Sequence, residues 1–193
     1  MDKGWANPSS AGIMGLICAI MPLVVLKLGW VGPEGAPILI GWLITGGLLQ
    51  IACGIIEARR GGLLFATPLL ILGFTATIAP AIGELVKIWI KGAAVPPTMS
   101  GVGFVVIAVW AIAFFVASGL VSRFLFILMG FLDIALWLLG LAMLGVVGPG
   151  ADMIGTYCLL IFLVGMLYVA CALFLNELFG KEILPIGKPL FTP

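Results

Sequence analysis

Few residues in this 193-residue chain are equipped for chemistry, so their positions matter more than their number. Histidine is absent, which removes the commonest general base, the commonest metal ligand and the usual sensor of neutral pH. Ser9 and Ser10 have no imidazole to activate them, and hydrolase chemistry has nothing to run on. The four cysteines, Cys18, Cys53, Cys158 and Cys171, each stand alone in an apolar run without a C-x-x-C pair, and read as small apolar core residues. No P-loop, dinucleotide fingerprint or metal-ligand set occurs. No cofactor or metal is expected, and the chain does not read as an enzyme.

What remains is a handful of polar groups in apolar surroundings. A charged group in hydrocarbon is costly, and Asp133 sits in the middle of an apolar run. It is a candidate for a pathway-facing or proton-carrying role; the alternative is a neutral acid packed between helices and bonded to one of them. Gln50, beside Gly46 and Gly47, carries an amide that its own backbone cannot fully satisfy. Thr45, Thr67, Thr75, Thr77 and Thr156 are weaker candidates, because threonine in a membrane helix usually bonds to the turn before it. Asn7-Pro8-Ser9-Ser10 has the form of a helix N-cap, whose free N–H groups also suit an anion.

The elements that position these residues follow from composition. Hydrophobic residues make up 63% and charged residues 9% of the chain, with mean hydropathy +1.34. A soluble domain devotes about a quarter of its residues to charge. The net charge of +1 offers no basic field, so nucleic acid is excluded as a partner. The lipid bilayer is the expected solvent. About 20 apolar residues cross a hydrocarbon core, and the runs that qualify are Ala11–Val31, Ala36–Ile56, Leu63–Val86, Gly101–Val121, Phe124–Gly145 and Ile154–Phe174. The expectation is an all-α, polytopic membrane protein: a single domain, residues 1–193, of six transmembrane helices with short tails.

Glu57-Ala58-Arg59-Arg60-Gly61-Gly62, Pro149-Gly150-Ala151-Asp152 and the other separators are short, so consecutive helices run antiparallel. Lys3, Arg59, Arg60, Arg123, Lys181 and Lys188 then fall on one side of the membrane, and Lys27, Lys87 and Lys91 on the other. The richer side is cytoplasmic by the positive-inside rule, which places both termini in the cytoplasm of a plasma-membrane protein. Small residues four apart, Gly15/Ala19, Gly41/Thr45, Gly54/Ala58 and Ala113/Ala117, permit close helix contacts. Pro22, Pro68 and Pro80 lie inside spans and are expected to bend or interrupt them.

Three segments carry a resemblance. Asn7-Pro8-Ser9-Ser10-Ala11-Gly12-Ile13-Met14-Gly15 is similar to an N-P-x-P-x-G-x-x-G opening, and Gly46-Gly47-Leu48-Leu49-Gln50-Ile51-Ala52-Cys53-Gly54-Ile55-Ile56-Glu57 to a G-G-x-x-Q-x-x-A-G-x-x-E segment. Asn176-Glu177-Leu178-Phe179-Gly180-Lys181-Glu182-Ile183-Leu184-Pro185-Ile186-Gly187 is similar to a closing N-E-x-x-G-x-x-x-L-P-I-G. Together, and in this order, they resemble the acetate uptake transporter family, which includes the bacterial succinate–acetate permeases. Gly12, Gly15, Gly47, Glu57, Asn176 and Glu177 carry the motifs.

The resemblance implies a homo-hexamer of six-helix protomers, each with its own pathway for acetate, related short carboxylates or succinate. It also implies a hydrophobic constriction of Phe, Tyr and Leu, whose positions fall on Leu16, Leu72 and Leu132. Asn7, Pro8, Gln50, Thr67 and Asp133 are the associated candidates for substrate contact or coupling. The chain departs from the pattern in having leucine at both aromatic positions and Ser10 at the second proline. Asp133, next to Leu132, would repel acetate if charged and facing the constriction. Two transport readings follow: a channel or proton-linked transporter for acetate and similar carboxylates, or a channel for small neutral solutes such as ammonia, urea or undissociated acetic acid. A non-transporting scaffold is a third reading, for which the tails are small.

Overall fold

The computed structural model of the chain describes residues 6–90 and 96–191, which leaves Lys3 and Lys91 outside the described residues. The elements are α1 (Ser9–Lys27), a short 3-10 turn (Pro33–Gly35), α2 (Ala36–Arg59), α3 (Leu63–Leu72), a π-helical segment (Gly73–Ile78), α4 (Ala79–Trp89), α5 (Pro97–Ser118), α6 (Arg123–Met143) and α7 (Pro149–Phe179). The segment Gly73–Ile78 joins α3 and α4 into one crossing, Leu63–Trp89. Six helices are then long and apolar enough to span a membrane among the described residues.

The spans pack side by side in the order α1, α2, α3, α5, α6, α7, and α7 returns to α1. This closed ring encloses a core that includes Ile13, Leu16, Leu72, Leu132, Phe162 and Leu163. Small residues set the approach of α1 to α2. A methyl group on Gly46 would strike the Gly15 carbonyl oxygen and come within 2.7 Å of the Ala19 Cβ, so only glycine fits there.

The helix ends differ from the hydropathy reading, and local chemistry accounts for it. Sequence expectation ran the first span to Val31, whereas α1 stops at Lys27. Gly29 adopts φ +71°, and Trp30 N–H donates to Val25 O at 3.1 Å, closing the helix end with backbone alone. Gly145, at φ +73°, likewise follows the end of α6. Pro149-Gly150-Ala151-Asp152, expected as a loop, is the first turn of α7: proline has the fixed φ of a first helical residue, and Asp152 complements the helix dipole there. Pro22 interrupts nothing, because α1 continues through it. Pro80 is different. Its missing N–H and ring conflict with the carbonyl four residues back, and the wider Gly73–Ile78 segment lies immediately before it.

The start of α1, with Ala6 and Asn7 before it, lies beside the end of α7 at one end of the bundle. The tail after α7 folds back along it: Asn176 Oδ1 accepts Ile183 N–H at 2.6 Å and Leu184 N–H at 2.9 Å, and its Nδ2 donates to Leu184 O at 2.8 Å. Tyr168 Oη donates to Pro185 O at 2.8 Å, and Leu190 N–H reaches Gly119 O at 2.8 Å. Asn176 in the closing motif is therefore the clamp that turns the tail. The helix directions put Arg59, Arg60, Arg123, Lys181 and Lys188 at this end, and Lys27 and Lys87 at the other.

Candidate functional site

Among the described residues, helices of the ring enclose a pair of neighbouring cavities. The larger, about 90 Å³, extends from mid-bundle toward the end opposite the termini. It is lined by Ile20, Val24 and Lys27 of α1, Leu139 of α6 and Leu159 of α7, among others. The smaller, about 30 Å³, extends toward the termini and is lined by Gln50, Phe65, Leu69, Phe114 and Met129, among others. Leu16, Leu72, Leu132 and Phe162 line both. These four side chains come from α1, α3, α6 and α7, each at most 7% exposed, and they separate the two spaces. The three leucines singled out in the sequence are thus brought together. Phe162 was missed: as one phenylalanine in an almost wholly apolar span, it has no sequence signal that distinguishes it from a lipid-facing residue.

Gln50 is fully buried and lines the smaller cavity. Its Nε2 reaches Gly46 O only at 3.5 Å, and its Oε1 has no partner. A buried amide with unused hydrogen-bonding capacity beside a cavity is a natural contact for a polar solute.

Other candidates fall elsewhere. Asp133 lines neither cavity. Successive residues of a helix point about 100° apart, so its adjacency to Leu132 in sequence does not carry over to the cavities. Gly130 packs on Phe115 and Gly140 on Phe104 and Val105, all on α5. Asp133, one turn beyond Gly130, shares that face, and its Oδ1 is buried without a partner. Of the readings open for Asp133, this placement favours a carboxyl turned away from the constriction. Thr67 is also away from both cavities, with its hydroxyl donated to Leu63 O at 3.0 Å. Thr45, Thr75, Thr77 and Thr156 likewise bond to the carbonyl one turn back.

Asn7 and Pro8 build the start of α1. The Asn7 Oδ1 accepts Ser9 N–H at 2.9 Å, and Pro8 O accepts Gly12 N–H at 2.9 Å. Ser10, in place of the motif's second proline, donates its hydroxyl to Ala170 O at 2.8 Å and ties α1 to α7. Asn7 and Glu177 meet in a groove of about 250 Å³ at the termini end of the bundle. The motif glycines Gly12, Gly15 and Gly47 are points of close approach, Gly12 to Leu69, Gly15 to Gly46 and Gly47 to Thr77. Glu57, at the end of α2, pairs with Arg60 at 3.3 Å.

No protein-family model and no curated protein sequence matches the chain. Among solved structures, the bacterial acetate channel SatP is similar to it at a TM-score of 0.82 and 26% sequence identity, over 95% of this chain and 99% of that one. That neighbour is a channel rather than an enzyme, and the likeness runs through every span. With six helices able to cross a membrane among the described residues, the chain is an integral multi-pass membrane protein, and its likeness to that channel supports the resemblance to the acetate uptake transporter family.

Proposed function

We propose that this protein is a channel of the plasma membrane that passes acetate and similar short carboxylates, one pathway per protomer. The observation that carries the reading is the pair of cavities, inside a single chain, that meet at Leu16, Leu72, Leu132 and Phe162. A ring of such side chains acts as a dewetting constriction. A water needs a cavity of about 10–15 Å³, so the larger cavity of about 90 Å³ has room for a molecule of a few heavy atoms. Gln50 offers an Nε2 N–H to the carboxylate on the termini side of the ring, while its unpartnered Oε1, an acceptor, suits only a donor such as the undissociated acid. Succinate would have to desolvate two carboxylates at a ring without a hydrogen-bond donor, so acetate is the better substrate.

The positive-inside distribution supports cytoplasmic termini, and likeness to the acetate channel supports the cargo. The homo-hexamer implied by the resemblance is part of the proposal; the cavities do not depend on it, because one chain lines each of them. A second reading, conduction of small neutral solutes, is favoured by the ring itself. Three leucines and a phenylalanine offer a carboxylate no polar contact at the narrowest point.

Uptake of labelled acetate into proteoliposomes distinguishes the two, run beside ammonia and urea and with the membrane voltage clamped by a potassium ionophore. Saturable uptake that follows the voltage supports passage of the anion. Uptake that ignores voltage and tracks only the undissociated acid, or passage of the neutral solutes alone, supports the second reading.

A further inference from the structure

Among the described residues, every one that lines the larger cavity is apolar except Lys27. Leu16 and Lys27 stand eleven residues apart on α1, a rise of roughly 16 Å, so the ammonium is at the far end of the cavity from the constriction, where the bundle meets water. It does not stand free. Lys27 Nζ lies 2.6 Å from Asp152 Oδ1, with side chains 26% and 36% exposed. The pair joins the last turn of α1 to the first turn of α7.

We propose that Lys27 and Asp152 form an exchangeable carboxylate-binding gate at the mouth opposite the termini, in which the substrate carboxylate replaces Asp152 on the lysine ammonium. This rests on the carboxylate-channel reading and adds to it the residue that first takes hold of the anion. Chemistry supports the exchange. An ammonium carries three donors and no acceptor; Asp152 engages one of them, so an incoming carboxylate meets donors before the pair has opened. Asp152 is itself a carboxylate in the position the substrate would take. Partly exposed ion pairs are weakened by water and salt, so opening is easy. Each charge is also supported by its own helix, the cation at a C-terminus and the anion at an N-terminus, and persists when the pair parts. A competing anion held at the mouth makes recruitment depend on the balance between the two side chains.

A gate and a structural tie predict different outcomes, which makes the test direct. Labelled acetate uptake and its KM are measured for wild type, Lys27→Gln, Asp152→Asn and the double variant, with urea or ammonia permeation as reference. The gate predicts opposite signs. Lys27→Gln leaves Asp152 to repel the anion and raises KM about tenfold, the lower end of what local charge does to ion concentration. Asp152→Asn frees the ammonium and lowers KM, a gain that misfolding cannot produce. The double variant falls between the two, and permeation of the neutral solute is unchanged in all. Single variants that shift KM in the same direction, or not at all, overturn the gate while the channel reading stands. A wild type that takes up no acetate overturns both.

Discussion

Leu132 and Asp133 are neighbours in sequence and belong to different surroundings in the fold. Leu132 separates the two cavities, while Asp133 shares the face of α6 that packs on α5. A carboxyl in the middle of a membrane span attracts a functional reading because it is costly, but cost alone does not say which way the residue points. The stretch of α5 between Phe104 and Phe115 that lies across from it carries no charged side chain. Asp133→Asn is therefore expected to leave acetate uptake, and its response to an imposed pH gradient, unchanged in proteoliposomes. Loss of the pH response would place this carboxyl in a coupling mechanism and contradict its separation from the pathway. Gln50 is the reverse case. Its sequence setting among glycines marked it as polar and hard to satisfy, and its side chain lies against a cavity with an unpartnered oxygen. Lys27, counted from sequence only among the charges opposite the termini, gained its candidate role when α7 brought Asp152 to it.

The helices were legible because a span is a long-range average. Twenty apolar residues in a row register whatever their order, and all six crossings were expected in their observed order along the chain. Their ends were not legible from hydropathy, since apolar residues continue past them. Leu28, Trp30 and Val31 follow the last residue of α1, and the stop is made by the backbone at Gly29. Nor was the wider turn of Gly73–Ile78 readable, beyond the warning that Pro80 supplies. Close contact between helices was readable in kind: the pairing of Gly15 with Ala19 announced an interface, and the partner proved to be Gly46 on α2. Lipid offers little hydrophobic drive for helices to associate, so such contacts hold the bundle directly. A methyl group on Gly46 would meet a backbone oxygen that cannot swing aside. Gly46→Ala is expected to destabilise the protein by about 1–3 kcal/mol, as overpacking does, read as a lowered Tm in detergent beside the wild type. An unchanged Tm would mean that α1 and α2 have room to spare.

At the scale of the whole molecule, the six spans form a ring with an apolar partition at mid-depth, a buried amide on the termini side and an ion pair at the opposite mouth. Leu16, Leu72 and Leu132 come from widely separated parts of the chain, and their association was reachable from sequence only through the resemblance. Phe162 needed the fold, because spacing within one span says nothing about which neighbour it faces. It places one aromatic in a ring whose other three members are leucines. The same ring makes the central claim testable by size. Labelled acetate and the longer butyrate should be followed into proteoliposomes holding wild type, Leu16→Ala and Phe162→Ala, with protein folding checked by Tm. The account predicts that shortening either side chain admits butyrate at a rate wild type does not reach, while acetate passage persists or rises. Unchanged discrimination between the two acids in well-folded variants would contradict it, and would place the pathway somewhere other than between these four side chains.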